Sequence, residues 1–226
     1  MTLFWTLAGV AAVAAVAAVA DWFAMATTDR RLMYAAKPTV LAALAAAAAV
    51  LPSDRIDLVD RRWWFVAALA CCLLGDVLLM LPRNLFVPGL AAFLIGHVFF
   101  IVGLLQPPSP AGTPPFSFSA LGLLVAATVV AAVEAAPCTV LIRSLAAHGR
   151  HALIAPVCLY ILAIAVMVIL ATNVGILLAA FGAGAFLLSD TLLALDRFVR
   201  PIRRGPLAVH VTYHLAQGLL VLSLLR

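Results

Sequence analysis

Residues 152–195 read ALIAPVCLYILAIAVMVILATNVGILLAAFGAGAFLLSDTLLAL, an apolar run broken near its centre only by Thr172 and Asn173. As one helix this stretch would rise about 66 Å, more than twice a hydrocarbon core of roughly 30 Å. It is therefore two membrane crossings joined by a tight turn. The rest of the chain follows the same pattern. Of its 226 residues, 66% are hydrophobic and 10% charged, and the mean hydropathy is +1.20. Soluble domains run at roughly 45–50% and about 25%, so a soluble globule, a disordered chain and a disulfide scaffold are all excluded. What remains is an all-α polytopic membrane protein of one integral-membrane domain over 1–226. Any chemistry must lie inside or at the edge of its helix bundle.

At about 20 residues per crossing, eight transmembrane helices are expected near 3–25, 35–51, 63–81, 88–105, 117–137, 152–171, 173–195 and 206–225. Breaks fall at Lys37-Pro38, at Pro52 to Arg55, at Leu81 to Asn84 and across 197–206. Five prolines between Gln106 and Pro115 predict a stiff, extended crossover. The net charge of +5 does not indicate nucleic acid, because the basic residues flank apolar runs, where they set topology and meet anionic lipid. Ten Lys and Arg fall on one side of the eight spans and four on the other. The positive-inside rule then places both termini outside the cytoplasm, in the plasma membrane if the chain is bacterial. Cys71, Cys72, Cys138 and Cys158 lack metal-ligand spacing and read as small buried or lipid-facing residues. The first apolar run has no basic segment before it, which argues against a cleaved signal peptide.

Ionisable groups inside a membrane are expensive, roughly 2.5–3.5 kcal/mol each on insertion scales, and so are functional candidates. Asp76 lies near the end of span three and Asp190 near the end of span seven. Glu134 lies near the end of span five and Lys37 at the start of span two. His97 is central in span four, and His210 and His214 fall in the first half of span eight. Given alternating span directions, all sit at mid-depth or nearer the ten-charge side, which predicts one cavity opening on that side. An internal echo supports a parallel 4+4 repeat: Asp76-Val-Leu-Leu-Met-Leu81 and Asp190-Thr-Leu-Leu-Ala-Leu195 share D-x-L-L-x-L, four spans apart. Each precedes a span begun by proline and carrying a histidine.

Two carboxyls in one low-dielectric cavity cannot both ionise cheaply, so one keeps its proton beside an ionised partner. That pair suits protonation of carbon or oxygen followed by an oxocarbenium-like cation. Lys37 can meet a lipid phosphate as a point charge. Structural readings stand beside these. Asp76 and Asp190 can serve as helix–helix glue, with Ser189 assisting. Lys37 can snorkel, and Glu134 can snorkel or cap its helix before Pro137. His97 can be a satisfied core histidine. Gly75, Gly96, Gly182 and Gly184 can simply permit close packing, and Tyr213 and Gln217 can be polar glue.

Taken in order, Lys37-Pro38, Gly75-Asp76, the run Phe86, Gly89, Phe93, Gly96-His97, the span Pro156, Tyr160, Met167, then Gly182-x-Gly184-x-Phe186-x-x-Ser189-Asp190 and Tyr213 with Gln217 resemble the YhhN family, whose animal relatives are lysoplasmalogenases. The resemblance covers spans two to eight. It implies an eight-helix membrane hydrolase that cleaves the vinyl ether of a lysoplasmalogen, a lysophospholipid, to a fatty aldehyde and a glycerophospho-alcohol, with no cofactor. Asp76 and Asp190 are the expected catalytic pair, one as acid and the other as stabilising carboxylate and base. Lys37, His97, Ser189, Tyr213 and Gln217 are the expected substrate-positioning residues. His210 stands outside the family pattern.

Three rival classes remain at this stage. His210 and His214, one turn apart, with His97 would make a zinc site for a metal-dependent membrane lipid hydrolase. An intramembrane aspartyl protease also needs two buried aspartates, but its G-x-G-D and Y-D hallmarks are absent. A small proton-coupled transporter or lipid-binding protein shares the repeat and the mid-membrane carboxylates. Neither a G-x-G-x-x-G nor a P-loop occurs.

Overall fold

Helix α3 (Arg61–Met80) buries Phe65, Ala68, Leu69, Cys72, Gly75 and Asp76, a stripe at three- and four-residue spacing. Helix α4 (Phe86–Leu105) answers it with Gly89, Gly96 and Gly103, seven residues apart and all buried. A Cβ added at Gly96 would lie 2.9 Å from Cys72 Sγ and 3.1 Å from the Ala68 carbonyl oxygen. One added at Gly103 would lie 2.8 Å from the Phe65 ring. Small residues on one face let two membrane helices approach closely where lipid offers no hydrophobic drive to pair. The α3–α4 contact is the most extensive in the molecule.

The computed structural model describes residues 2–51, 61–83, 85–106 and 119–225. The break at 52–55, Asn84, the prolines of the 107–115 crossover, and the charges Arg55 and Arg226 lie outside the described residues. Besides α3 and α4, the helices are α1 (Thr2–Thr27), α2 (Arg30–Val50), α5 (Ala120–Ala147), α6 (Ile154–Asn173), α7 (Leu177–Phe198) and α8 (Gly205–Leu222). All eight are long and apolar enough to cross a membrane, and the described residues contain no strand. The chain is a multi-pass integral membrane protein. Val13, Val16, Phe23, Leu121, Leu124, Leu177 and Phe181 are among the large apolar side chains that point outward, as a lipid solvent permits.

The predicted turn at Thr172 and Asn173 is present: α6 ends at Asn173 and α7 begins at Leu177, with Gly175 at φ +75° between them. Only a glycine takes that backbone without strain. Helix α2 starts five residues before the expected boundary because Asp29 caps it, accepting from the Arg31 and Leu32 amides at 3.0 and 3.1 Å. The larger correction concerns α5. It does not stop at Pro137 but runs on to Ala147. In a membrane helix a proline and the carbonyl it frees are tolerated. Glu134 thus lies at the middle of its helix, not at an end.

The packing order follows the expected 4+4 division. The pair α3–α4 corresponds to α7–α8, α2–α3 to α6–α7, and α4–α6 to α8–α2, all observed contacts. The outer helices depart from it, since α1 packs on α8 whereas α5 packs on α7. Of the four glycines expected to permit close packing, Gly75, Gly96 and Gly182 do so. Gly184 meets nothing within 4 Å.

The pair Gly182 and Gly184 gives a test. A Cβ at Gly182 would meet the Leu220 amide nitrogen at 3.0 Å and the Ala216 carbonyl oxygen at 3.1 Å, backbone atoms of α8 that cannot step aside. Gly182→Val is expected to destabilise the protein by about 1–3 kcal/mol, as overpacking does. Gly184→Ala is expected to leave stability nearly unchanged. Thermal unfolding of both variants in detergent checks this.

Candidate active site

A cavity of about 640 Å³ runs from one end of the bundle to its middle. Its mouth is formed by Thr28, Asp29 and Arg30 at the α1–α2 turn, Leu81 and Pro82 after α3, Phe86 on α4, and Arg197 and Phe198 at the end of α7. Its floor carries Lys37, Asp76, Asp190, Tyr160, Tyr213 and His210, with Glu134 on the α5 wall. The volume falls within the range of roughly 300–1,000 Å³ usual for small-ligand sites. Most of the remaining wall is apolar (Met33, Leu79, Leu90, Phe93, Leu141, Val157, Ile161, Ile164 and Leu187).

The two aspartates share this floor in different company. Asp76 on α3 is 1% exposed, and both its oxygens are occupied: Lys37 Nζ from α2 lies 2.9 Å from Oδ1, and the Tyr213 hydroxyl from α8 donates to Oδ2 at 3.0 Å. Lys37 also lies 5.6 Å from the Tyr213 ring centroid. Asp190 on α7 is half-buried, and the Tyr160 hydroxyl of α6 donates to its Oδ2 at 2.5 Å. One carboxylate thus faces a cation and a hydroxyl, the other a neutral hydroxyl. In each half of the chain the partner comes from the helix immediately before the aspartate.

The other predicted residues divide into wall and backing. Tyr213 is in the wall. Ser189 touches the cavity, but its hydroxyl donates to the Val209 carbonyl oxygen at 3.1 Å, tying α7 to α8. Neither His97 nor Gln217 lines the cavity, although both are fully buried. His97 bonds through Nδ1 to the Phe93 carbonyl oxygen at 2.7 Å and stands edge-on to Tyr160 and Phe186, with ring centroids 5.2 and 4.6 Å away. It therefore sits behind Tyr160 instead of facing substrate. Lys37, expected at a lipid phosphate, is committed to Asp76, and the cations at the mouth are Arg30 and Arg197. The Arg197 guanidinium lies 4.5 Å from the Phe86 ring centroid, a stacked position that holds its charge at the rim.

Glu134 accepts from Thr191 of α7 at 3.0 Å. The supposed zinc triad is not assembled. His210 and His214 turn toward Asp21 of α1, with His210 Nδ1 2.6 Å from Asp21 Oδ2, while His97 is held at Phe93. Among the described residues no group of three His, Cys, Asp or Glu is placed to hold a metal ion. Two residues at the site carry little sequence signal. Tyr160 belongs to the motif set but has no charge to mark it, and Asp21 is a lone carboxylate within the long apolar run of α1.

The sequence profile of the YhhN family matches residues 32–224. Human lysoplasmalogenase TMEM86B is 34% identical over 159 residues, 70% of this chain and 62% of the relative. A lysoplasmalogenase of Mycobacterium tuberculosis (strain CDC 1551 / Oshkosh) is 34% identical over 177 residues, 76% of this chain and 62% of the relative. Mouse lysoplasmalogenase TMEM86B is 32% identical over 168 residues, 74% and 66% of the two chains. The chain thus spans less than two thirds of the length of these relatives, and no solved structure matches it. With the motifs of α2 to α8 falling within the matched stretch, the chain belongs to the YhhN family.

Proposed function

We propose that this protein is a membrane-embedded, lysoplasmalogenase-like hydrolase that cleaves the vinyl ether bond of a lysophospholipid by acid–base chemistry on Asp76 and Asp190. The observation that carries the reading is the unequal pairing of two carboxyls on the floor of one lipid-sized cavity. The relatives named lysoplasmalogenase support the same reaction class.

The pairing supports a division of roles. An ammonium in contact with a carboxylate favours its ionised form, by on the order of 4 kcal/mol for charges about 4 Å apart at an effective dielectric near 20. That exceeds the roughly 2.5–3.5 kcal/mol insertion cost of one such charge, so Asp76 is the ionised member. Asp190, half-buried with a single neutral hydroxyl partner, holds the proton and is the acid. A lysolipid enters with its alkenyl chain along the apolar wall and its phosphate at the mouth, near Arg30 and Arg197. Arg197 follows Asp190 by two helical turns, about 10 Å, a span suited to an extended glycerophosphate. Asp190 protonates the β-carbon of the enol ether, and the oxocarbenium formed next to the oxygen is stabilised by the Asp76 carboxylate. Water aligned at that cation adds to give a hemiacetal. The proton that the water sheds on addition goes to a base and from it to the departing glycerol oxygen as the hemiacetal collapses, while the hemiacetal hydroxyl proton returns to Asp190, giving aldehyde and glycerophospho-alcohol.

The first test is aldehyde release from a synthetic lysoplasmalogen by purified protein in detergent. Asp76→Asn and Asp190→Asn are each expected to lower turnover by about 10²–10⁴-fold with an unchanged gel-filtration profile. Full turnover in either variant would overturn the pair. Binding without product in the wild type would favour transport or lipid carriage instead.

Lys37 gives a second test. Removing one partner of a buried pair costs about 3–5 kcal/mol because the other charge is stranded. Lys37→Met is expected to lose both stability and turnover. In the double variant with Asp76→Asn, the stability should largely return while turnover stays lost. Unfolding midpoints and aldehyde release on the four proteins read the two effects separately.

A further inference from the structure

Hydrolysis needs a group to accept a proton from the attacking water, and in the mechanism above Asp76, ion-paired with Lys37 and bonded by Tyr213, serves as the stabilising anion. A second carboxylate–imidazole pair adjoins the same cavity. His210 lines the floor, three residues before Tyr213 on α8 and so on the same helix face. Its Nδ1 lies 2.6 Å from Oδ2 of Asp21, which reaches in from α1 and is fully buried. With Nδ1 donating to that carboxylate, the ring presents Nε2 as an acceptor toward the cavity. Lys37 on α2, Asp76 on α3 and His214 on α8 are the other ionisable groups around it.

The surroundings point to water. His214 is 4% exposed, and its Nδ1 is 3.8 Å from the same Asp21 oxygen, beyond hydrogen-bond reach. Both ring nitrogens of His214, Oδ1 of Asp21 and Nε1 of Trp22 are buried with hydrogen-bonding capacity that no protein group meets. Buried polar atoms of this kind are satisfied by ordered water. The α1–α8 contact is thus a buried polar cluster beside an otherwise apolar cavity, and His210 belongs to both.

We propose that His210 is the base of the reaction above, taking a proton from the hydrolytic water, with Asp21 as its positioning residue. The inference rests on the functional reading already given. The water oxygen bonds to the oxocarbenium carbon as one O–H bond breaks, and that proton passes to His210 Nε2. The resulting imidazolium is stabilised by Asp21. When the hemiacetal collapses, the imidazolium returns its proton to the departing glycerol oxygen, and the hemiacetal hydroxyl gives its own to the Asp190 carboxylate. Atoms and charges balance with water as the only co-reactant. Asp21 lies outside the 32–224 stretch that matches the family.

Two readouts on the full chain in detergent test it. The first is steady-state aldehyde release. His210→Gln is expected to lower kcat by about 10²-fold or more with KM within twofold, and added imidazole should restore part of the turnover of His210→Gly. Asp21→Asn should lower kcat less than His210→Gln, with Asp21→Glu recovering part of the loss. The second is the ¹⁵N spectrum of histidine-labelled protein, which is independent of turnover. It should show His210 with Nδ1 protonated and Nε2 bare, and that balance should shift in Asp21→Asn. Wild-type kcat in His210→Gln overturns the proposal. So does a loss that imidazole does not touch, or a tautomer indifferent to Asp21→Asn. A wild type that releases no aldehyde yet shows the tautomer overturns the hydrolase reading and the catalytic role with it, leaving the Asp21–His210 pair established as structure.

Discussion

The cost of enclosing a carboxylate within a membrane helix bundle governs how this bundle is built. Asp76 is almost wholly enclosed, and the cost is offset only because α2 delivers Lys37 and α8 delivers Tyr213 to its two oxygens. Each of those side chains needs its own helix at a fixed rotation and depth. Gly75, immediately before Asp76, brings α3 against Phe93 of α4, and the glycines of α4 at seven-residue spacing keep that approach along its whole length. Three helices are therefore located by one ion pair, and the cavity floor is what lies between them. Were the pair absent, the stripe of small residues would still join α3 to α4, but α2 and α8 would lose the polar contacts that tie them to Asp76.

Much of the fold could be read from the amino-acid order, because membrane crossings depend on length and apolarity more than on detail. The turn at Thr172 and Asn173 followed from the length of the run alone. The error at Pro137 arose from applying a rule for helices in water, where a proline strands a carbonyl. Within a membrane bundle that carbonyl is tolerated. The site was legible at the level of depth. Asp76, Asp190, Lys37, His210 and Tyr213 do share one cavity, as alternating span directions require. Rotation about the helix axis was not legible, and it separates Tyr213, in the wall, from Gln217 and His97 behind it. Nor could pairing be read: Lys37 faces Asp76, 39 residues away in sequence, and His210 faces Asp21, 189 residues away.

The two halves of the chain place equivalent carboxyls but not equivalent partners, and this difference makes chemistry available. Helices α2 and α6 occupy corresponding positions, and each offers one polar group to the aspartate of the helix that follows. In the first half that group is an ammonium and in the second a phenol. A strictly repeated site would hold two like carboxyls, with nothing to decide which keeps the proton. In the mechanism proposed above, the unlike partners break that tie, with Asp190 as the acid and Asp76 as the anion. The departure of α1 from the repeat adds a second asymmetry, since it carries Asp21 against α8 while α5 leans on α7. The polar cluster around Asp21 therefore lies on the Asp76 side of the cavity. In the mechanism proposed above, the base and the stabilising carboxylate thus belong to the side built by α1, α2, α3 and α8, and the acid to the side built by α6 and α7.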